Sequence, residues 1–195
     1  MSGEAEKGIA PKFKTIFAGT DPAKGPEVDR LKYWSRKFID EGLMPEYPGG
    51  CFGNLSCRTA GNKFVITASG MKAPDDDGSF CAVEAVDADK FEVTVKGKKA
   101  PSSETVLHYK IYRARPEVNA IFHGHCQTIL DRAGSLGVPV TEKGSPYGTA
   151  ELAEEALKAL GKGDFVILKG HGFVSVGHSA DEAGSRALEY LERSR

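Results

Sequence analysis

The order of elements in this 195-residue chain predicts an α/β or α+β sandwich whose sheet is mostly antiparallel. Two observations carry that reading. Residues 82–97 and 164–177 each read as a pair of strands joined by a short break, and helix-patterned segments bounded by their own start and stop residues lie between them. No repeat, low-complexity tract or domain boundary interrupts residues 26–195, which read as a single domain behind an N-terminal arm of residues 1–25. The hydrophobic share of 40% is ordinary for a chain that buries one core.

The arm is rich in Gly, Pro and Lys, and its Ile16–Phe17 patch suits packing on the body or on a neighbouring subunit. From Pro26, the segment PEVDRLKYWSRKFIDEGL places Val28, Leu31, Trp34 or Ser35, and Phe38 at helical spacing. Pro26 suits the first turn of that helix and Gly42 its end. YPGGCFGNLSCR holds too much glycine for regular helix, and KFVITASG reads as a strand ending in a turn. AVEAVDADKFEVTVKG gives two strands around a short polar connection. PSSETVLHYKIYRARP opens on a capping signal, carries Leu107 and Ile111 on one face, and stops at Pro116. VNAIFHGH is the next strand, and GTAELAEEALKALG is a helix with Thr149 as N-cap and Gly161 as stop. DFVILKGHGFVSVG reads as two strands broken at Gly170-His171-Gly172, and the final helix opens on a capping box from Ser179 to Glu182.

Composition narrows the function classes. Lys plus Arg number 26 against 27 Asp plus Glu, and no basic stripe is present, which argues against nucleic-acid binding. Cys51, Cys57, Cys81 and Cys126 make no CxxC pair and no secreted disulfide pattern, so they are expected to be free thiols in a reducing compartment. No run approaches ~20 apolar residues, and MSGEAEKGIAPKFK has no apolar core of a secretory signal. A cytoplasmic protein without a membrane partner is expected.

Chemistry concentrates in the histidines. On a strand, His123 and His125 share one face, roughly 6.5–7 Å apart, and can converge on one ion; a helix would splay them. The same HGH also fits a polar pair at a strand end. His171, between two glycines that free the backbone to bend, supplies a third ligand or else a turn histidine bonded to backbone. Three histidines with an open position describe a catalytic zinc site. His108 reads as a packing or hydrogen-bonding residue of the 102–115 helix, His178 as exposed near the last N-cap, and Cys126 as facing away from His125. Glu104 falls in the first turn of its helix, where Ser102, Ser103 and free N–H groups also suit a phosphate. GCFGN and TASG are two further turns with donors for an anion.

Four blocks, GNLSCR, FVITASG, PSSETVLHYKIYRARPEVNAIFHGH and ILKGHGFVSVG, stand in the order and spacing of the class II aldolase/adducin family, which the chain resembles over residues 26–192. The resemblance implies a three-layer α/β/α sandwich and commonly a homotetramer with active sites at subunit interfaces. It implies His123, His125 and His171 as zinc ligands, and Glu104 as catalytic acid/base and fourth ligand of the resting site. It implies Asn54, Ser69, Gly70, Ser102 and Ser103 as the pocket for a substrate phosphate, with Cys51 where a sugar-phosphate aldolase of the family carries threonine. The activity implied is a zinc-dependent aldolase that cleaves a short phosphorylated ketose, through a metal-stabilised enediolate, into dihydroxyacetone phosphate and a small aldehyde. Epimerisation, dehydration and decarboxylation are the alternatives within the family, and a non-catalytic adducin-like module lies outside them. Three imidazoles also accept Mn²⁺, Co²⁺ or Fe²⁺. The segment after His125 is short, and Tyr147, Glu142 and Asp131 lie in or near it without matching the family's helper residues.

Overall fold

The structure, a computed structural model, describes residues 11–195; the first ten residues of the expected arm lie outside the described residues. In chain order the strands are β1 Lys14–Gly19, β2 Glu46–Tyr47, β3 Gly50–Cys51, β4 Asn54–Ala60, β5 Lys63–Thr67, β6 Phe80–Asp87, β7 Glu92–Lys96, β8 Ala120–Gly124, β9 Phe165–Leu168 and β10 Gly172–Gly177. The helices are α1 Pro26–Asp40, α2 Thr105–Ala114, α3 Gln127–Asp131, α4 Ala133–Leu136, α5 Ala150–Leu160 and α6 Ala180–Ser194.

Eight strands form one sheet in the order β1-β7-β6-β5-β4-β8-β10-β9, and β2 pairs with β3 beside it. The sheet is mixed: six of its seven strand pairs are antiparallel, as expected, and one pair at its edge is parallel. Its edge strand β1 runs parallel to β7, and the other neighbours pair antiparallel. That edge falls in the segment read as an arm. Its residues are largely exposed on both faces, so no alternation marks them as a strand.

The period-two alternation of the central strands divides the core between the two faces of the sheet. Val65, Phe122, Ile167 and Phe173 pack with α1 and α6, while Phe64, Ile66, Ile121, Val166 and Val174 pack with α2 and α5. Helix α1 buries Val28, Leu31, Trp34, Ser35 and Phe38, the face expected from spacing, with both Trp34 and Ser35 inside. Gly184 of α6 admits the Trp34 ring, which a Cβ there would strike. Helix caps follow the sequence. Thr149 accepts from the Leu152 N–H and Ser179 from the Glu182 N–H, each at 3.2 Å. No helix among the described residues is long and apolar enough to cross a membrane.

The end of α1 bears on function. Gly42, at φ +75, closes it in the left-handed conformation, and the Leu43 N–H bonds back to the Phe38 carbonyl at 2.7 Å. The Leu43 carbonyl then accepts the His125 N–H at 2.8 Å. In register, Asn54 of β4 lies opposite His123 of β8, which lies opposite Val174 of β10. Three adjacent strands of the sheet interior thus converge where the histidines stand.

Candidate metal centre

Strand β8 ends at Gly124, so His125 lies one residue past it, a correction to the reading of both histidines on one strand. His123 falls on the same face as Ile121, the face covered by α2. The tie from His125 to Leu43 turns its ring back toward His123, at 4.7 Å between ring centroids. Gly170, at φ +69, sharpens the turn between β9 and β10, and the His171 ring stands 4.9 Å from each of the other two. Ligand nitrogens of the three histidines all lie within 4.8 Å of one another.

A hydrogen bond fixes the tautomer of the buried member. His123 Nδ1 lies 2.8 Å from the Phe173 carbonyl, which can only accept, so the proton sits on Nδ1 and Nε2 faces the cluster. That Nε2 is 3.0 Å from His125 Nε2 and 3.0 Å from Glu104 Oε2. Glu104 Oε1 is 3.4 Å from His171 Nε2, and the Asn54 amide donates to Oε2 at 2.9 Å. Glu104 is the N-cap residue of α2 and not in its first turn, as expected from sequence, and its side chain makes no capping bond. It turns to the histidines instead.

Electrostatics prepare the cluster for a cation. Burial favours the uncharged form of Glu104, but the His123 charge and hydrogen bond, His171 and Asn54 overcome it and hold the carboxyl well below its usual range. Burial lowers His123 as well, and the Glu104 charge reverses that to a net rise. His125 is pushed down to about 3 by burial and then by its two histidine neighbours. His171 is pushed down to about 4, chiefly by burial. Glu104 Oε1 and Asn54 Oδ1 are buried without a hydrogen-bond partner. Imidazole nitrogens converging beside an ionised, incompletely satisfied carboxylate are the donor set of a divalent metal site, so the residues fit the ion.

The remaining candidates separate from this cluster. His108 is buried at Nδ1 against Ser56 Oγ, 2.6 Å away, and its pKa falls to about 3 through burial. His178 is exposed and bonded to the Glu117 carbonyl. Cys126 is the residue before α3 and packs partly against the core. The cysteines are free, and burial pushes the Cys57 and Cys81 thiols up to about 12.

A cavity of about 600 Å³ opens onto His125, His171 and Glu104, and Asn54, Ser69, Gly70, Ser102 and Ser103 line it as well. Close backbone approach builds its wall: a Cβ on Gly50 would meet the Gly70 carbonyl carbon and Met71 oxygen at 2.8 Å. Two expected donors are already engaged. The Ser69 N–H bonds to the Ala100 carbonyl at 2.9 Å and the Ser102 N–H to that of Thr67 at 3.0 Å.

The chain's similarity to known proteins extends over most of its length. The model for "Class II Aldolase and Adducin N-terminal domain" matches residues 30–131 and 126–194. The chain belongs to the class II aldolase/adducin family. Within that family, the L-fuculose phosphate aldolase of Methanococcus maripaludis is 32% identical over 152 residues, covering 71% of this chain and 79% of that protein. The 3,4-dihydroxyphthalate decarboxylase of Arthrobacter keyseri is 28% identical over 166 residues, covering 71% of this chain and 66% of that protein. A solved L-fuculose 1-phosphate aldolase superposes with a TM-score of 0.72 at 26% identity, covering 90% of this chain and 86% of the other.

Of the three polar residues in or near the short segment after His125, Tyr147 lines the cavity. Glu142 pairs with Lys158 at 2.9 Å and Asp131 with Gln127 at 2.7 Å, both at the surface. Sequence reasoning missed Tyr47, Phe52, Ser145 and Lys169, which also line it. Their segments carry turn residues and no periodicity, so only the glycines and proline around them marked loops that could reach a site.

Proposed function

We propose that this protein is a divalent-metal lyase of the class II aldolase type, with zinc as the ion and a short phosphorylated ketose as substrate. A single arrangement carries the reading: His123, His125 and His171 with their ligand atoms within 4.8 Å, beside the Glu104 carboxylate, at the wall of the cavity that Ser102 and Ser103 share. His123, His125 and His171 would hold the ion, with Glu104 beside them in the resting site. When bound, it supplies Lewis-acid stabilisation of the negative charge that develops on a substrate oxygen.

The chain's own residues provide the rest. Glu104 moves the proton at the substrate carbon beside the ketone, removing it as carboxylate in the synthetic direction and returning it as acid in cleavage. Asn54, expected in the phosphate pocket, instead orients that carboxylate, its amide donating to Oε2. Ser69, Gly70, Ser102 and Ser103 receive the phosphate and fix the reacting carbons against Glu104. The 26–195 body acts as one domain in a homotetramer in the cytoplasm, the assembly being readable by sedimentation.

The test measures zinc content, then aldehyde release from a panel of ketose 1-phosphates with and without a chelator. Chelator-sensitive release from at least one member is expected. Metal-free protein without turnover would support the adducin-like binding module. Decarboxylation is the second reading, favoured by the identity to the Arthrobacter keyseri decarboxylase; carbon dioxide release without aldehyde would select it.

A further inference from the structure

The loop at residues 144–148 lines one side of the cavity with its first four residues. A Cβ on Gly144 would meet the Lys169 carbonyl at 3.1 Å, and one on Gly148 would meet the Ser103 carbonyl at 3.0 Å. The loop thus runs from the Lys169 side of the cavity to the serine turn. Next to Gly144 stands Ser145, a lining residue only 8% exposed, whose hydroxyl is buried without a hydrogen-bond partner among the described residues. Burying such a hydroxyl unsatisfied is unfavourable, and a ligand atom accepting from it removes the penalty.

Among the described residues that line the cavity, Lys169 is the only lysine or arginine. It is exposed, and its ammonium reaches the Glu142 carbonyl at 3.3 Å but joins no ion pair among the described residues. The one carboxylate among the described lining residues, Glu104, lies against His123 and His171. A second cation, Lys12 Nζ, lies 4.3 Å from the ring centroid of Tyr147, a lining residue of the same loop. This side of the cavity therefore combines the Lys169 cation with an unused hydroxyl.

We infer that the substrate carries a carboxylate at the end opposite its phosphate, paired with Lys169 and hydrogen-bonded by Ser145. The inference rests on the serine turn holding the phosphate, as proposed above. An ammonium point charge and one hydroxyl match the two oxygens of a carboxylate, while a neutral aldehyde or hydroxyl end would leave Lys169 to water.

The experiment is calorimetric titration of the zinc-loaded protein with erythronate 4-phosphate and with erythritol 4-phosphate, which lacks the carboxylate. The parent is expected to bind the acid about tenfold tighter, roughly 1.4 kcal/mol. Lys169→Met should bind both at the affinity of the alcohol, and Lys169→Arg should restore the preference. Equal affinities in the parent, or a preference that survives Lys169→Met, would overturn the inference and leave the phosphate reading standing. If neither compound binds, the phosphate reading fails and this inference with it. Matching thermal unfolding of the variants shows that the fold is intact.

Discussion

Gly172→Ala separates close packing from mere flexibility at the metal site. A Cβ at Gly172 would fall well inside contact distance of the Gly124 carbonyl oxygen and 2.8 Å from Cε1 of His123. Neither neighbour yields easily, because Gly124 is held in register opposite Phe173, and His123 is pinned by its bond to the Phe173 carbonyl. The methyl must push β8 from β10 or rotate the His123 ring. Overpacking of this kind costs about 1–3 kcal/mol. Losing the bond that orients a ligand histidine lowers metal affinity about 10–100-fold. Urea unfolding of the metal-free variant reads the first, and zinc competition against a chromophoric chelator reads the second. Gly170→Ala is the control: it meets nothing within 4 Å but sits at φ +69, so it should lose about 1 kcal/mol of stability through strain alone. A Gly172→Ala protein that binds zinc like the parent and unfolds at the same urea concentration would refute the packing argument.

Glu104→Gln should keep its zinc while turnover falls about 100-fold or more, and an unchanged rate would remove the acid/base role. His123→Ala or His171→Ala should lose metal and activity together, as read by metal analysis and by the same turnover assay. Metal-free protein should lose stability as pH falls from 6.5 towards 4. His108, His125 and His171 stay neutral in the fold, with pKa values near 3, 3 and 4, whereas the unfolded chain takes up their protons near 6.5. His123, raised by Glu104, acts with the opposite sign and offsets part of the loss. An unfolding midpoint that stays flat from pH 7.5 to 5 would contradict this. Thr149→Ala should cost about 1 kcal/mol, because the Leu152 N–H loses its cap; urea titration measures it.

Much of the fold is written in local chemistry. Val28, Leu31, Trp34 and Phe38 announce the buried face of α1, and Thr149, Ser179 and Gly161 mark helix ends, because caps and periodicity act within a few residues. Edge strand β1 and strand β4 carry no such mark. β1 is largely exposed, and β4 follows glycine turns that mask its alternation. At the site, the histidine pattern and the acid were legible, but their roles in space were partly misplaced. Glu104 caps nothing, His125 lies beyond its strand, and two expected N–H donors are engaged elsewhere.

By itself the sequence determined the histidines, the acid, the serine turn and the family those blocks belong to, since residue identity and spacing along the chain suffice for each. Only the tertiary structure decided that His123 presents Nε2, that Asn54 holds the Glu104 carboxylate, and that Lys169 and Ser145 join the cavity. The reason is physical: a tautomer, a hydrogen-bond partner and an unpaired charge depend on groups fifty or more residues apart, or on what is missing nearby. Packing brings such groups together, and no local signal records it.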